Sequence, residues 1–235
     1  MQDAKKYRLT IILVVAGLLV GSAALYSGIF FAKQQWLISN VTFKNKLNYV
    51  DISELEPQLA NYLGKSFLFT DLSDLHKKLL TNEWVKEVEI SRNWPDTLEI
   101  KFQEEIPLAY LNQSRLVTTE GKVINSRPQV TIKLPIFEVE NSYLDDAFIY
   151  YFDILSKIGP VGLGIEKLSH TAVDGWKLTL DRGFELILGH NEIMVRLTRF
   201  VLAYQRKLES LSDNFDYVDL RYTNGVAIGW KTTNN

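Results

Sequence analysis

Leu9 to Ala32 is a run of 24 residues, LTIILVVAGLLVGSAALYSGIFFA, without one charged side chain. As a helix it reaches about 36 Å, enough to cross a hydrocarbon core of about 30 Å with some tilt. A cleavable leader carries a shorter apolar core, about 7 to 15 residues. The run is therefore expected to remain as a transmembrane helix over 9–32, although Ser22-Ala23-Ala24 sits inside it. Lys5, Lys6 and Arg8 precede the run and only Lys33 follows closely. The positive-inside rule then places the N-terminus in the cytoplasm. A cytoplasmic tail of residues 1–8 is too short to fold, so the work is expected from the residues on the far side. Gly17 and Gly21 add a small-xxx-small pairing pattern to the span.

Composition closes several routes. The chain has 235 residues and no cysteine, so disulfides, thiolate metal sites and thiol nucleophiles are excluded. Net charge is −2 and the pI about 6.0. The first eight residues hold three cationic side chains and one anionic one, which leaves a net −4 on residues 33–235. That is no footprint for nucleic acid. His76, His170 and His190 lack metal-ligand spacing, and no G-x-S-x-G elbow occurs. Gly162-Leu163-Gly164 follows a helical segment and lacks the third glycine of a phosphate cradle, so it reads as a loop. The acid pairs Glu104-Glu105 and Asp145-Asp146 are sequence neighbours, which point apart on a strand and do not face each other on a helix. Carboxylates from distant segments could still meet in space. Asn40-Val41-Thr42 and Asn112-Gln113-Ser114 match a glycan acceptor pattern that is common by chance. No catalytic, metal or cofactor-binding residue is assigned. The expected activity is binding.

Residues 37–106 read as strand, helix, helix, strand, strand. LISNVTF (37–43) has strand composition. DISELEPQLANYL (51–63) has helical spacing, with Ser53 and Glu56 as a capping box and Pro57 awkward beyond the first turn. Gly64 stops it. DLSDLHKKLLTN (71–82) is a second helix, with Asp71 as N-cap and Leu72, Leu75 and Leu79 on one face. A hairpin follows, turning at Asn93-Trp94-Pro95-Asp96. Leu98, Ile100 and Phe102 alternate with polar residues on its second strand, and Trp94 is expected to pack.

Residues 107–231 read as a distal α+β domain with a mostly antiparallel sheet and helices on one side, and 232–235 as a disordered tail. LAYLNQSRLVTTEGKVI (108–124) holds two strand-like pieces with a turn at Glu120-Gly121, and LPIFEVE (134–140) follows. The spacing predicts a helix over 142–159, its buried stripe Leu144, Phe148, Tyr151, Leu155 and Ile158. A hairpin over 175–189 turns at Asp181-Arg182-Gly183. A last helix over 191–211 has the stripe Ile193, Leu197, Phe200, Tyr204, Leu208 and Leu211. Arg196, Arg199, Arg206 and Lys207 fall off that stripe, on a solvated face. YVDLRYTNGVAIGW (217–230) is expected to be two short strands around Asn224-Gly225.

A last strand is often an edge strand, and an open edge invites a partner strand unless charge or proline blunts it. VAIGW (226–230) has neither, although Lys231 comes next. Gly229 permits close backbone approach, and Tyr222 and Trp230 are interface-anchoring residue types. The residues leave two readings open: addition of a partner strand, or Trp230 merely covering its own sheet.

The first external segment, closing on WVKEVEISRNWPDTLEIKFQEEIPLA, resembles a POTRA domain. Arg92, the run Trp94 to Leu98, Glu105 and Pro107-Leu108-Ala109 are similar to the POTRA of the bacterial FtsQ/DivIB cell-division family. LVTTEGKVI, LPIFEVE, GWKLTL, LILGHNEIMVRLTRF and YVDLRYTNGVAIGW follow in the family's order, so the resemblance spans nearly the whole chain. It implies a non-enzymatic divisome scaffold: a single-pass protein of the bacterial inner membrane, periplasmic beyond its anchor and concentrated at the septum, linking early and late division proteins. It implies that the POTRA domain docks upstream factors, and that FtsB and FtsL bind the distal domain, the FtsB segment adding onto the last strand to help control septal wall synthesis. FtsK, FtsW, FtsI and FtsN are further candidate partners. The partner-binding residues carried over or proposed on this strand are Arg221, Tyr222, Gly225, Val226, Ile228, Gly229 and Trp230, with Arg221 pairing an acid on the partner. One departure stands out: some relatives carry an arginine just before the Trp of GWKLTL, where this chain has Val173 and Asp174. The alternative is a POTRA-bearing translocation or chaperone component of the envelope.

Overall fold

The computed structural model describes residues 14–28, 36–125, 133–223 and 225–232. Expectations for the tail 1–8, both ends of the apolar run, Lys33, Asn224 and residues 233–235 lie outside these. The chain divides into two compact units, Met1–Glu104 and Glu105–Asn235.

In the first unit, residues 14–28 form an exposed helix, α1. They supply 15 residues of the apolar run, and no helix among the described residues is long and apolar enough to cross a membrane. The folded part runs β1 (Asn40–Phe43), α2 (Ile52–Ala60), α3 (Ser73–Leu79), β2 (Val85–Asn93) and β3 (Thr97–Glu104). The sheet order is β1-β3-β2, with β1 parallel and β2 antiparallel to β3. The period-2 alternation of β3 buries Leu98, Ile100 and Phe102. Leu55 and Leu59 of α2 and Leu75 and Leu79 of α3 complete this core.

Three local expectations are corrected. The N-cap of α2 is Asp51, whose carboxylate accepts from the Ser53 amide at 2.8 Å, in place of the Ser53–Glu56 box. Pro57 sits inside α2, beyond its first turn. Asp71 lies one residue ahead of the α3 cap position, Leu72, yet still accepts from the Ser73 amide and hydroxyl.

Glu104, at the end of β3, clasps the turn that leads into α2. Its carboxylate accepts from the amides of Asn48, Tyr49 and Val50 at 2.7 to 3.0 Å, and from the Asn48 side chain at 3.3 Å. Charge-assisted bonds of this kind are the strong ones. Glu104→Ala is expected to cost roughly 2 kcal/mol of stability in this unit, by leaving three amides without their acceptor. Denaturant unfolding of the variant checks this, and an unchanged midpoint would show that the turn is held by other contacts.

The second unit runs β4 (Pro107–Leu111), β5 (Arg115–Thr118), β6 (Val123–Ile124), β7 (Ile136–Glu138), α4 (Leu144–Ile158), β8 (Ile165–Thr171), β9 (Gly175–Leu180), β10 (Glu185–Gly189), α5 (Ile193–Ala203), β11 (Phe215–Asp219) and β12 (Ala227–Trp230). Its nine strands form one sheet in the order β12-β11-β10-β9-β8-β7-β4-β5-β6. Five pairings are antiparallel; β4/β7, β7/β8 and β10/β11 are parallel. The helices α4 and α5 pack on each other, α4 against β8 and α5 against β10. Trp176, Leu178 and Leu180 of β9, Leu186 and Leu188 of β10, and Leu197 and Phe200 of α5 belong to one buried cluster.

The sequence reading missed β8 and split 108–124 into two strands where there are three. The first turn there uses Asn112 and Gln113, both at positive φ (49° and 62°), without a glycine to mark it. On α4 the deepest positions are Ala147, Ile154 and Ile158; Leu144, Phe148, Tyr151 and Leu155 flank them half-buried. Beyond Ala203 the helix widens into a π turn over Tyr204–Leu208 and tightens into a 3-10 stretch over Glu209–Asn214. The changed pitch turns Leu211 outward and buries Ser212 instead.

Candidate functional site

β12 is an outer strand of the nine-stranded sheet, and no described strand lies beyond it. It pairs antiparallel with β11, Asp219 opposite Ala227 and Tyr217 opposite Gly229, with a bulge before Phe215 meets Trp230. The far end is tied back by Lys231, whose amide and ammonium donate to the carbonyls of Asn214 and Asp213 at 2.8 and 2.9 Å. The outer side of β12 is thus a pinned strand edge of the kind that accepts another strand.

Of the seven predicted site residues, Ile228, Gly229 and Trp230 lie on β12. Arg221, Tyr222, Gly225 and Val226 lie in the 220–226 connection, so Tyr222 is in a loop and not on a paired strand. All seven still gather at this end of the sheet. Val226 and Ile228 pack partly against the core. Trp230 stands edge-on to Phe215 at 5.3 Å yet stays 54% exposed, and Tyr222 is 59% exposed. The space that Gly229 leaves is taken by the protein's own Tyr217: a Cβ there would lie 2.6 Å from Cδ1 of that ring. Gly229 therefore serves packing within the sheet, where close approach by a foreign backbone had been expected.

The connection and the neighbouring β10 are held by arginines that had been expected on a solvated face. Arg199 of α5 donates to the carbonyls of Leu220, Tyr222 and Thr223, gathering three successive parts of the loop. Arg196 donates to the Leu188 carbonyl. Only Arg206 and Lys207 of that set are exposed. The acceptors of Arg196 and Arg199 are backbone carbonyls outside α5, for which no side-chain pattern gives a signal.

Arg221 is already paired. Its guanidinium donates to Asp219 at 2.8 to 3.2 Å, and its amide donates to the same carboxylate at 2.9 Å. Asp219 is buried, while the Arg221 side chain remains about half exposed. The aliphatic stem of Arg221 lies over Gly189, where a Cβ would come within 3.1 Å of its Cγ. Burial pushes the Asp219 carboxyl up, but the hydrogen bonds and charge of Arg221, with Arg196 nearby, outweigh it and hold the group below its ordinary value. The contribution of the pair is then fully present above the ordinary carboxylate value and is lost as pH falls through the lower folded one. Amide exchange protection in 219–223 is expected to stay level from neutral pH down to about 4 and to fall below it. Asp219→Asn should flatten that profile; an acid-dependent loss that survives in Asp219→Asn would place the titrating group elsewhere.

At the departure noted in the sequence, Val173 is 87% exposed and Asp174 accepts from Lys177 at 2.8 Å. That hydrogen bond and the charge of Lys177 lower the Asp174 carboxyl. His170 and His190, far apart in sequence, come within 5.9 Å, and Tyr143 and Trp176 flank His170 at 3.9 and 4.8 Å. Burial, then the neighbouring His190, lowers His170. The described residues hold no group of three metal-ligating side chains.

A family model described as the POTRA domain, FtsQ-type, matches residues 37–105, and one described as cell division protein FtsQ/DivIB, C-terminal, matches residues 109–221. Tyr222 and all of β12 lie past the end of the second match. The cell division protein FtsQ of Hahella chejuensis is 33% identical over 208 residues, covering 84% of this chain and 72% of its own. The protein of that name from Neisseria gonorrhoeae is 28% identical, covering 93% and 88%. The one from Aliivibrio fischeri is 28% identical, covering 83% and 77%.

Proposed function

The chain belongs to the FtsQ/DivIB family of cell division proteins, and on that footing we propose that it is a single-span, non-enzymatic scaffold of the bacterial divisome that binds the FtsB–FtsL pair by strand addition at β12. The uncharged run Leu9–Ala32, helical over 14–28, and the cationic residues before it support an inner-membrane anchor with a cytoplasmic N-terminus. The domains beyond it then lie in the periplasm, at the septum, where the first would receive upstream division proteins.

The observation that carries this reading is the open edge of β12, beside a loop that Arg199 fixes in place. A fixed edge loses little freedom when a strand adds to it, so more of the backbone hydrogen bonding appears as affinity. Tyr222 and Trp230 flank the edge with exposed aromatic surface. Arg221 offers a charge already oriented by Asp219, and an acid of the partner would share it. Removing Arg221 is a poor test, because it would strand the buried Asp219 carboxylate.

The test is crosslinking in cells from a photoreactive residue at Tyr222, with mass spectrometry of the adduct. Capture of FtsB, a small single-span coiled-coil protein, is the expected result. Capture of a secretion or outer-membrane subunit instead would move the protein to envelope translocation. A folded protein that gives no adduct would remove this edge as the contact.

A further inference from the structure

Six of the eight large apolar residues exposed within residues 36–104 sit at one end of the domain: Trp36, Leu37, Leu63, Leu68, Phe69 and Trp94. Backbone contacts bring their segments together. The Phe67 amide donates to the Trp36 carbonyl at 2.7 Å, Gly64 donates to Ile38, and Leu37 bridges Ser66. Arg92, next to the β2–β3 turn, donates to the carbonyls of Phe67 and Thr70 at 2.7 and 2.6 Å. The turn itself carries Trp94, which had been expected to pack but is 66% exposed, touching Trp36 edge-on at 6.0 Å. A tryptophan in solvent on a tight turn, with Phe69 51% exposed on the segment that Arg92 ties next to that turn, makes an apolar patch that calls for an occupant.

Chain length points to that occupant. Trp36 stands four residues after Ala32, the last residue of the apolar run. Four extended residues span at most about 14 Å. The headgroup layer on each side of a hydrocarbon core is about 5 to 8 Å deep. If the run spans the membrane, Trp36 lies at most about 14 Å past its end, in or just beyond the layer in which tryptophan is enriched, its ring apolar and its N–H wet.

We infer that Trp36, Leu68, Phe69 and Trp94 form a seat by which the first unit rests on the lipid interface of the membrane that holds its own anchor. This rests on the reading of Leu9–Ala32 as a span. A domain seated in this way has a restricted orientation, so its other surfaces face partners from a set height above the lipid.

The chain has no cysteine, so a single introduced one can be spin-labelled without background. The full chain is reconstituted in phosphatidylethanolamine–phosphatidylglycerol vesicles with a label at Leu68→Cys, Val20→Cys or Lys86→Cys. Accessibility to oxygen and to a water-soluble nickel relaxer is then read at each. The expected result is a lipid-like ratio at 20, an interfacial ratio at 68 and an aqueous one at 86, with the signal at 68 becoming aqueous in Trp36→Ser/Trp94→Ser. A lipid-like 20 with an aqueous 68 would overturn the seat while the anchor stands, leaving the patch to a protein partner. An aqueous 20 would overturn the anchor and the seat together. Unchanged circular dichroism and unfolding midpoint in the double variant keep a loss at 68 from being read as unfolding.

Discussion

Gly175→Ala is expected to destabilise the second unit by roughly 3 kcal/mol or more and to disable the partner edge with it. Gly175 opens β9 at φ +71°, a region that costs an L-residue about 1 to 2 kcal/mol. The added methyl would also meet backbone. It would overlap the carbonyl carbon of Gly189 and lie 2.5 Å from that oxygen and 2.8 Å from the His190 nitrogen. A flexible side chain could swing aside at small cost, but sheet backbone cannot, and overpacking of this kind adds about 1 to 3 kcal/mol. The damage would spread to the site. Gly189 is the floor on which Arg196 and Arg221 lie, each close to where its missing Cβ would be. Displacing Gly189 therefore shifts the Arg221–Asp219 pair and the start of the 220–226 connection. A thermal midpoint lowered on the order of 10 °C is the expected reading for the unit. A midpoint within a degree of wild type would mean that the β9–β10 contact relaxes freely.

Much of this architecture can be read from the residues because local pattern and burial agree. β3 alternates cleanly, the α3 leucines recur at helical spacing, and Asp181-Arg182-Gly183 turns β9 into β10 as expected. What could not be read depends on contacts made at a distance. β8 carries Ile165, Leu168 and His170 on a strand whose inward polar residue breaks the apolar alternation, since His170 is buried by Tyr143 and Trp176 from other segments. The π turn after Ala203 has no sequence signal and rotates Leu211 outward. The candidate edge was legible as a strand ending in tryptophan. Its scaffolding was not, because Arg199 acts through backbone carbonyls of residues 220, 222 and 223. Gly229 looked like an approach point, but its space belongs to Tyr217, a residue two positions into β11.

The second large effect concerns binding alone. Tyr222→Ala/Trp230→Ala is expected to abolish measurable capture of the FtsB–FtsL pair while the second unit keeps its fold. Both side chains are more than half exposed, so little buried area is lost within the protein. The aromatic contact at stake is Trp230 against Phe215, a pair worth about 0.5 to 1.5 kcal/mol. Interface anchors of these residue types cost about 2 kcal/mol or more each when truncated, and 1.4 kcal/mol is tenfold in affinity. The double variant should therefore weaken binding by several hundredfold or more. Ile149→Ala, at an exposed position on α4 near Val117 of β5, toward the opposite end of the sheet from β12, serves as the control and should bind normally. Titration of the partner pair against the three proteins, with unfolding midpoints measured beside it, separates the outcomes. Wild-type affinity in the double variant would mean that the partner strand is held elsewhere. Equal losses in the double variant and in Ile149→Ala would mean that binding reports on the fold and not on β12.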